Sequence, residues 1–169
     1  MGDVSAPATA PLVVVMGVTG AGKTTVGTRL AGALGVPFVD GDDLHDAHAI
    51  AKMRAGIPLD DGDRVPWWGR LNAALRAHAG HGVVVAASSL TPAARRAMTD
   101  GIDGVRFVLL AADPATIAAR IDRRVGHFAG AALLPSQLAL LDPPADALVL
   151  DAARPPDELV AVAVAALGA

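Results

Sequence analysis

Leu12-Val13-Val14-Val15-Met16-Gly17-Val18-Thr19-Gly20-Ala21-Gly22-Lys23-Thr24-Thr25 is the stretch that decides how the rest of the chain is read. A short apolar run ends at Gly17, and from there the residues fit G-x-x-x-x-G-K-[ST] at every fixed position. A helix-like pattern over 24–34 follows. Strand, glycine loop and helix in that order turn the pattern into a P-loop with a physical mechanism. Glycines let successive backbone N–H groups converge on phosphate oxygens, and the helix N-terminus adds positive potential. Gly17 through Thr25 is therefore the expected phosphate cradle. Lys23 reaches the β- and γ-phosphates, and the Thr24 hydroxyl ligates Mg²⁺. The loop implies a nucleoside triphosphate, with ATP as the donor and Mg²⁺ as its ion. It does not say what receives the phosphate.

The composition narrows the setting. A chain of 169 residues is expected to form one domain and to bury roughly two-thirds of its unfolded surface. Cysteine is absent, which excludes a disulfide framework and thiolate metal sites. A net charge of -3 offers no basic footprint for nucleic acid. No stretch reaches 18 uninterrupted apolar residues, so no membrane span is expected. Residues 1–10 lack the basic start of a signal peptide and read as a disordered lead before a single domain over 11–169. Cytoplasm is the expected location. Only Lys23 and Lys52 are lysine, against twelve arginines, so an Arg-biased chain still places Lys where a P-loop needs it.

Apolar runs recur at 12–16, 36–39, 83–87, 105–110 and 147–150, each short and nearly continuous, as in strands buried on both faces. Helical patterns lie between them at 24–34, 43–55, 65–79, 92–100, 114–124, 133–140 and 156–167. The alternation predicts an α/β fold with a central parallel five-stranded sheet flanked by helices. The last helix is rich in Ala and Val and is expected to pack on the sheet.

Val39-Asp40-Gly41-Asp42-Asp43-Leu44-His45 begins at the C-terminal end of the second strand, the edge where open α/β sheets bind ligands. Asp40 and Asp42 are two apart and share a side of an extended segment. One can take a proton from an acceptor hydroxyl while the other orients substrate or holds Mg²⁺ through water. Asp43 is a candidate helix cap. The segment from Lys52 to Arg64 is charged and rich in turn formers, and reads as a solvated loop anchored by Trp67 or Trp68. Arg120 and Arg124 are four apart on a predicted helix and share a face. Gly126-His127-Phe128-Ala129-Gly130 follows, bounded by possible glycine hinges. Arginines on such a lid, about 120–137, can neutralise charge on a transferring phosphoryl group. His78 and His81 read as surface residues.

Taken together, these segments resemble the bacterial-type gluconokinases, small P-loop kinases of the nucleoside-monophosphate-kinase-like fold with a mobile lid. The P-loop is generic; the specificity of the resemblance comes from Val39–His45, from Lys52-Met53-Arg54-Ala55-Gly56-Ile57-Pro58-Leu59 through Asp63-Arg64 and Pro66-Trp67, and from Gly126-His127-Phe128. Gln137 before Leu141-Asp142-Pro143-Pro144 also matches. The resemblance covers about 13–151. It implies transfer of the ATP γ-phosphate to the 6-hydroxyl of D-gluconate and a homodimer. It makes Asp40 the base or hydroxyl-orienting group, with Asp42, His45, Lys52, Arg64, His127 and Gln137 on the substrate. Arg120 and Arg124 join Lys23 as phosphate-facing catalytic residues. Two positions depart from the family pattern. Thr91 stands where a lysine is usual, and Ala49 where an asparagine is common.

Other readings remain at this stage: a shikimate-like P-loop metabolite kinase or another sugar-acid kinase, or a non-catalytic nucleotide-binding module. A GTPase would carry an Asn-Lys-x-Asp guanine motif. The lone asparagine, Asn72, precedes neither lysine.

Overall fold

A computed structural model describes residues 10–123 and 130–168. Five strands, β1 (Leu12–Met16), β2 (Phe38–Asp40), β3 (Val83–Ala86), β4 (Val105–Ala111) and β5 (Leu148–Asp151), form one sheet in the order β2-β3-β1-β4-β5. Every pairing is parallel, with Val14 opposite Val85 on one side and Phe107 on the other. The helices are α1 (Lys23–Leu34), α2 (Ala47–Arg54), α3 (Asp61–Ala77), α4 (Pro92–Thr99), α5 (Pro114–Asp122), α6 (Gly130–Leu140) and α7 (Pro156–Leu167).

β1 shows why the strand runs are continuous rather than alternating. Val13 and Val15 pack with Val26 and Leu30 of α1, Ile117 of α5 and Leu159 of α7. Leu12, Val14 and Met16 pack on the opposite face with Trp67, Leu71 and Leu75 of α3 and Met98 of α4. A strand covered on both faces needs apolar side chains at every position. Each fully buried aliphatic side chain contributes about 1.5–3 kcal/mol. The chain leaves β1 for β2 on one flank, returns to β3, then crosses to β4 on the other flank. The strand order reverses at β1, and open sheets bind ligands at that point.

Three elements differ from the sequence expectation. The single helix expected over 43–55 is broken. A 3₁₀ turn, Gly41–Leu44, is capped by the Asp40 carboxylate, and α2 begins only after Asp46, whose carboxylate accepts from the Ala49 N–H at 2.8 Å. Asp46, not Asp43, is therefore the cap of the helix. The expected loop before the tryptophans is already helical from Asp61. Asp60 and Asp63 exchange side-chain and backbone bonds as a capping box, at 3.0 and 2.9 Å. Aspartate replaces the usual Glu or Gln of that box, which hid it from a pattern search. Finally, α5 stops at Asp122 with Arg123 as its C-cap, and α6 starts at Gly130 rather than 133. α7 packs as expected, with Leu159, Val160 and Ala163 buried in the core. No helix among the described residues is long and apolar enough to cross a membrane.

Candidate active site

The glycine loop after β1 takes the shape its sequence demands. Gly17, Gly20 and Gly22 have φ of 150°, 77° and 97°, a region side chains rarely enter. A Cβ on Gly20 would lie 2.7 Å from Ile121, while one on Gly22 would meet nothing within 4 Å. Gly22 therefore faces open space at the start of α1, and the first N–H groups of a helix are suited to bind an anion. The Lys23 ammonium donates to the Val18 carbonyl at 2.9 Å, folding over the loop. The Gly17 N–H donates to Ser88 O, which ties the loop to the segment after β3.

A pocket of about 330 Å³ opens beside the loop, lined by Gly20, Gly22, Thr25, Arg120, Arg123 and Arg154 among others. Three guanidinium groups around a glycine loop and a helix N-terminus suit a polyphosphate. Arg120 also donates to the Ala152 carbonyl, joining α5 to the segment after β5. Arg154 is paired with Glu158 at 2.8 Å. Sequence reasoning did not single out Arg123 or Arg154. The rule that ligands gather at strand C-termini, applied to β5 as it was to β2, would have found Arg154.

Asp40 ends β2 and joins the two sides of the site. Its Oδ2 accepts from the Thr24 hydroxyl at 2.9 Å, and its Oδ1 accepts from the Asp42 N–H at 3.0 Å. A hydroxyl beside a carboxylate, at the mouth of a phosphate loop, is a donor set suited to Mg²⁺, which takes few protein oxygens and keeps waters and phosphates. Asp42 lies exposed on the 3₁₀ turn that follows.

His45 closes that turn. Its ring stacks on Trp67 with centroids 4.3 Å apart and planes 15° from parallel. Its Nδ1 is buried with no hydrogen-bond partner among the described residues. Burial pushes the His45 imidazole below its ordinary range; the Asp42 and Asp46 carboxylates oppose the shift and the Arg70 guanidinium adds to it. The ring is therefore held neutral, one nitrogen a donor and the other an acceptor.

The remaining expected residues divide. The Lys52 ammonium sits between Asp63 at 2.6 Å and Asp60 at 3.1 Å, bridging α2 to the start of α3. It holds both carboxyls below the usual carboxylate range. Lys52, expected on substrate, thus has its charge matched within the protein. Arg64 is half-exposed on the first turn of α3, 3.8 Å from Asp61. Gln137, also expected on substrate, accepts from the Thr19 N–H at 2.6 Å through its Oε1 and so braces the phosphate loop. Arg124 and His127 lie outside the described residues. The expected Arg120–Arg124 pair therefore also falls outside them. His78 is half-buried at the end of α3 and its Nδ1 meets Ala74 O at 2.8 Å, while His81 is exposed.

The two departures have structural explanations. Ala49 is fully buried at the first turn of α2. The Thr91 hydroxyl accepts from the Ala94 N–H at 3.2 Å and caps α4.

Comparison with known proteins agrees with this geometry. A family model described as an AAA domain matches residues 12–144. The thermosensitive gluconokinase of Escherichia coli (strain K12) is 46% identical over 134 residues, 78% of this chain and 71% of that protein. The gluconokinase of Gluconobacter oxydans (strain 621H) is 45% identical over 135 residues, 79% of this chain and 76% of that protein. The crystal structure of a gluconokinase from Sinorhizobium meliloti 1021 superposes with a TM-score of 0.84 at 38% identity, covering 95% of this chain and 93% of that one. A shikimate kinase from Aquifex aeolicus, at 18% identity and a TM-score of 0.61, shares the fold. With the phosphate loop, the Asp40 segment and identity of this order over most of its length, the chain is a kinase and belongs to the gluconokinase family.

Proposed function

We propose that this protein transfers the γ-phosphoryl group of ATP to the 6-hydroxyl of D-gluconate, giving 6-phospho-D-gluconate and ADP. The observation that carries the reading is the 2.9 Å contact between the Thr24 hydroxyl and Asp40 Oδ2. It brings the phosphate loop and the carboxylate of the acceptor side to a single point. Phosphoryl transfer needs little covalent help from the protein; positioning and charge stabilisation supply most of the acceleration.

On the donor side, the N–H groups of Gly20, Gly22, Lys23 and Thr24 cradle the phosphates, and the Lys23 ammonium moves from Val18 O to the β- and γ-oxygens. Arg120 and Arg123 face the phosphates from the pocket wall, with Arg124 beside them in sequence. Thr24 Oγ1 would hold Mg²⁺, which supplies neutralisation of phosphate charge. On the acceptor side, Asp40 takes the proton of the attacking hydroxyl as its oxygen bonds to phosphorus and the bond to the ADP oxygen breaks. His45 and Asp42 bind acceptor hydroxyls, and Arg64 and His127 meet the carboxylate end. Lys52 and Gln137 serve the same site indirectly, through α3 and the phosphate loop. Cytoplasmic location and a homodimer complete the reading.

The test is a coupled ADP-release assay over a panel of sugar acids with shikimate included. Gluconate is expected to give the highest kcat/KM. A higher value for another acid would reassign the acceptor, and acceptor-independent ADP release alone would leave a nucleotide-binding module.

A further inference from the structure

We propose that Trp67 is the positioning residue of the acceptor site: its indole N–H holds the Asp40–Gly41 turn while its ring face holds His45, so that one side chain sets both groups relative to each other. The proposal rests on the reading of Asp40 and His45 as acceptor-site residues.

Trp67 is 6% exposed and lies in the core layer beneath α3, beside the fully buried Leu71 and Leu75. From there its Nε1–H donates to the Gly41 carbonyl at 2.7 Å. Gly41 has no clearance on its other side: a Cβ there would lie 2.5 Å from Ala86 O and 3.2 Å from Leu71. The turn is thus clamped between the end of β3 and the indole. Asp40 is the preceding residue, so the clamp fixes the carboxylate that meets Thr24. The opposite end of the same turn is His45. A histidine ring is ordinarily oriented by a hydrogen bond from one nitrogen. His45 Nδ1 has none among the described residues and is buried. What orients the ring is the stack on Trp67, at 4.3 Å and 15°. A buried ring nitrogen without a partner is costly to keep and is the kind of atom a ligand hydroxyl satisfies.

The chain has two tryptophans and no tyrosine, so Trp68→Phe leaves Trp67 as the dominant near-ultraviolet emitter. An imidazolium in face contact quenches indole emission. The groups around His45 are Asp42 on the 3₁₀ turn, Asp46 at the start of α2 and Arg70 on α3. In Trp68→Phe, Trp67 emission is expected to fall on acidification, with a midpoint below the ordinary histidine value of about 6.5. The transition should vanish when His45→Gln is added. Its persistence there, or its absence in Trp68→Phe, would overturn the stacking half of the proposal.

Steady-state kinetics with gluconate test the other half. Trp67→Phe keeps a ring face but loses the N–H, and should lower kcat on the order of ten- to a hundredfold with gluconate KM little changed. Trp67→Leu loses both and should also raise gluconate KM. ATP KM should stay within about twofold in each, since the donor side is untouched. A folded Trp67→Phe enzyme with wild-type kcat would overturn the clamp. Trp67→Phe carries the test if Trp67→Leu does not fold. The emission titration uses no acceptor, so a wild-type enzyme that rejects gluconate, with the transition present in Trp68→Phe, would sink the substrate and spare the stack.

Discussion

The donor and acceptor halves of the site are built in opposite ways. The centre of the donor half is one contiguous loop, to which Arg120, Arg123 and Arg154 are added at the pocket wall. Gly17, Gly20 and Gly22 supply the conformations, and Lys23 and Thr24 follow directly in sequence. The acceptor half is assembled from the end of β2, a 3₁₀ turn and α3, held by contacts between residues 26 or more apart, such as Trp67 to Gly41 and Arg70 to Leu44. A local site survives as a pattern, whereas a tertiary site exists only once the core has placed its parts. The difference predicts that donor variants fail in chemistry with the fold intact, while acceptor variants mix chemistry with stability.

The sharpest way to break that contrast is Lys23→Ala. Loss of the cation on the β- and γ-oxygens should lower kcat by about a thousandfold, with an unchanged circular dichroism spectrum and Tm. A large drop in Tm would mean that the donor loop is structural after all. Asp40→Asn comes next, because Asp40 belongs to both halves. Loss of a general base should cost on the order of a hundredfold in kcat with ATP KM nearly unchanged. If ATP KM rose and kcat held, Asp40 would serve the Mg²⁺ shell through Thr24 and not the acceptor hydroxyl.

The same contrast explains what could be read from the sequence. The five strands and the phosphate loop were legible because each is a local signal: β1 is apolar at every position, and the loop matches at every fixed residue. The Asp40 segment was legible by its place at a strand end. The break between Leu44 and Ala47 was not, because three aspartates compete as caps and only packing selects Asp46. The contact of Gln137 with Thr19 was not legible either, because sequence order cannot show that α6 brings the two together. Trp67 looked like a loop anchor; its contacts with Gly41 and His45 need the tertiary structure to appear.

A third test addresses the brace under α3. Lys52 holds Asp60 and Asp63 below the usual carboxylate range. Depressed carboxyls contribute stability that is present above the unfolded value of about 3.9 and is lost as pH falls through their lower folded values. The part of wild-type Tm that these two carboxyls hold should therefore be lost on the acid side of pH 4. Lys52→Met should lower Tm by several degrees at pH 7 and flatten that acid limb, as thermal scans from pH 7 to 3 would show. An acid limb as steep as wild-type would remove Lys52 from the brace. His45 works in the same direction at higher pH. Its folded value lies below the unfolded one, so stability should begin to fall as pH drops below about 6.5.

The smallest effect is expected at Thr91, where the lysine that the resemblance leads one to expect and this chain's helix cap compete for one position. The Thr91 hydroxyl accepts from Ala94 N–H, with Pro92 at the first helical position. Thr91→Lys removes the cap, which costs about 1 kcal/mol and should lower Tm by roughly 2–4 °C in a chain of this size. Yet Thr91 ends the segment whose Ser88 carbonyl accepts from the Gly17 N–H of the phosphate loop, so a cation there would attract an anionic acceptor bound beside that loop. An exposed charge contact is worth at most about 1 kcal/mol, a rise in gluconate kcat/KM of no more than roughly fivefold. Thr91→Ser keeps the cap and adds no charge, and should change neither quantity. Opposite movement of Tm and kcat/KM in Thr91→Lys, with Thr91→Ser silent, would show this position serving acceptor binding and helix stability at once. A lower Tm with unchanged kcat/KM would make Thr91 a cap alone, with no part in acceptor recognition.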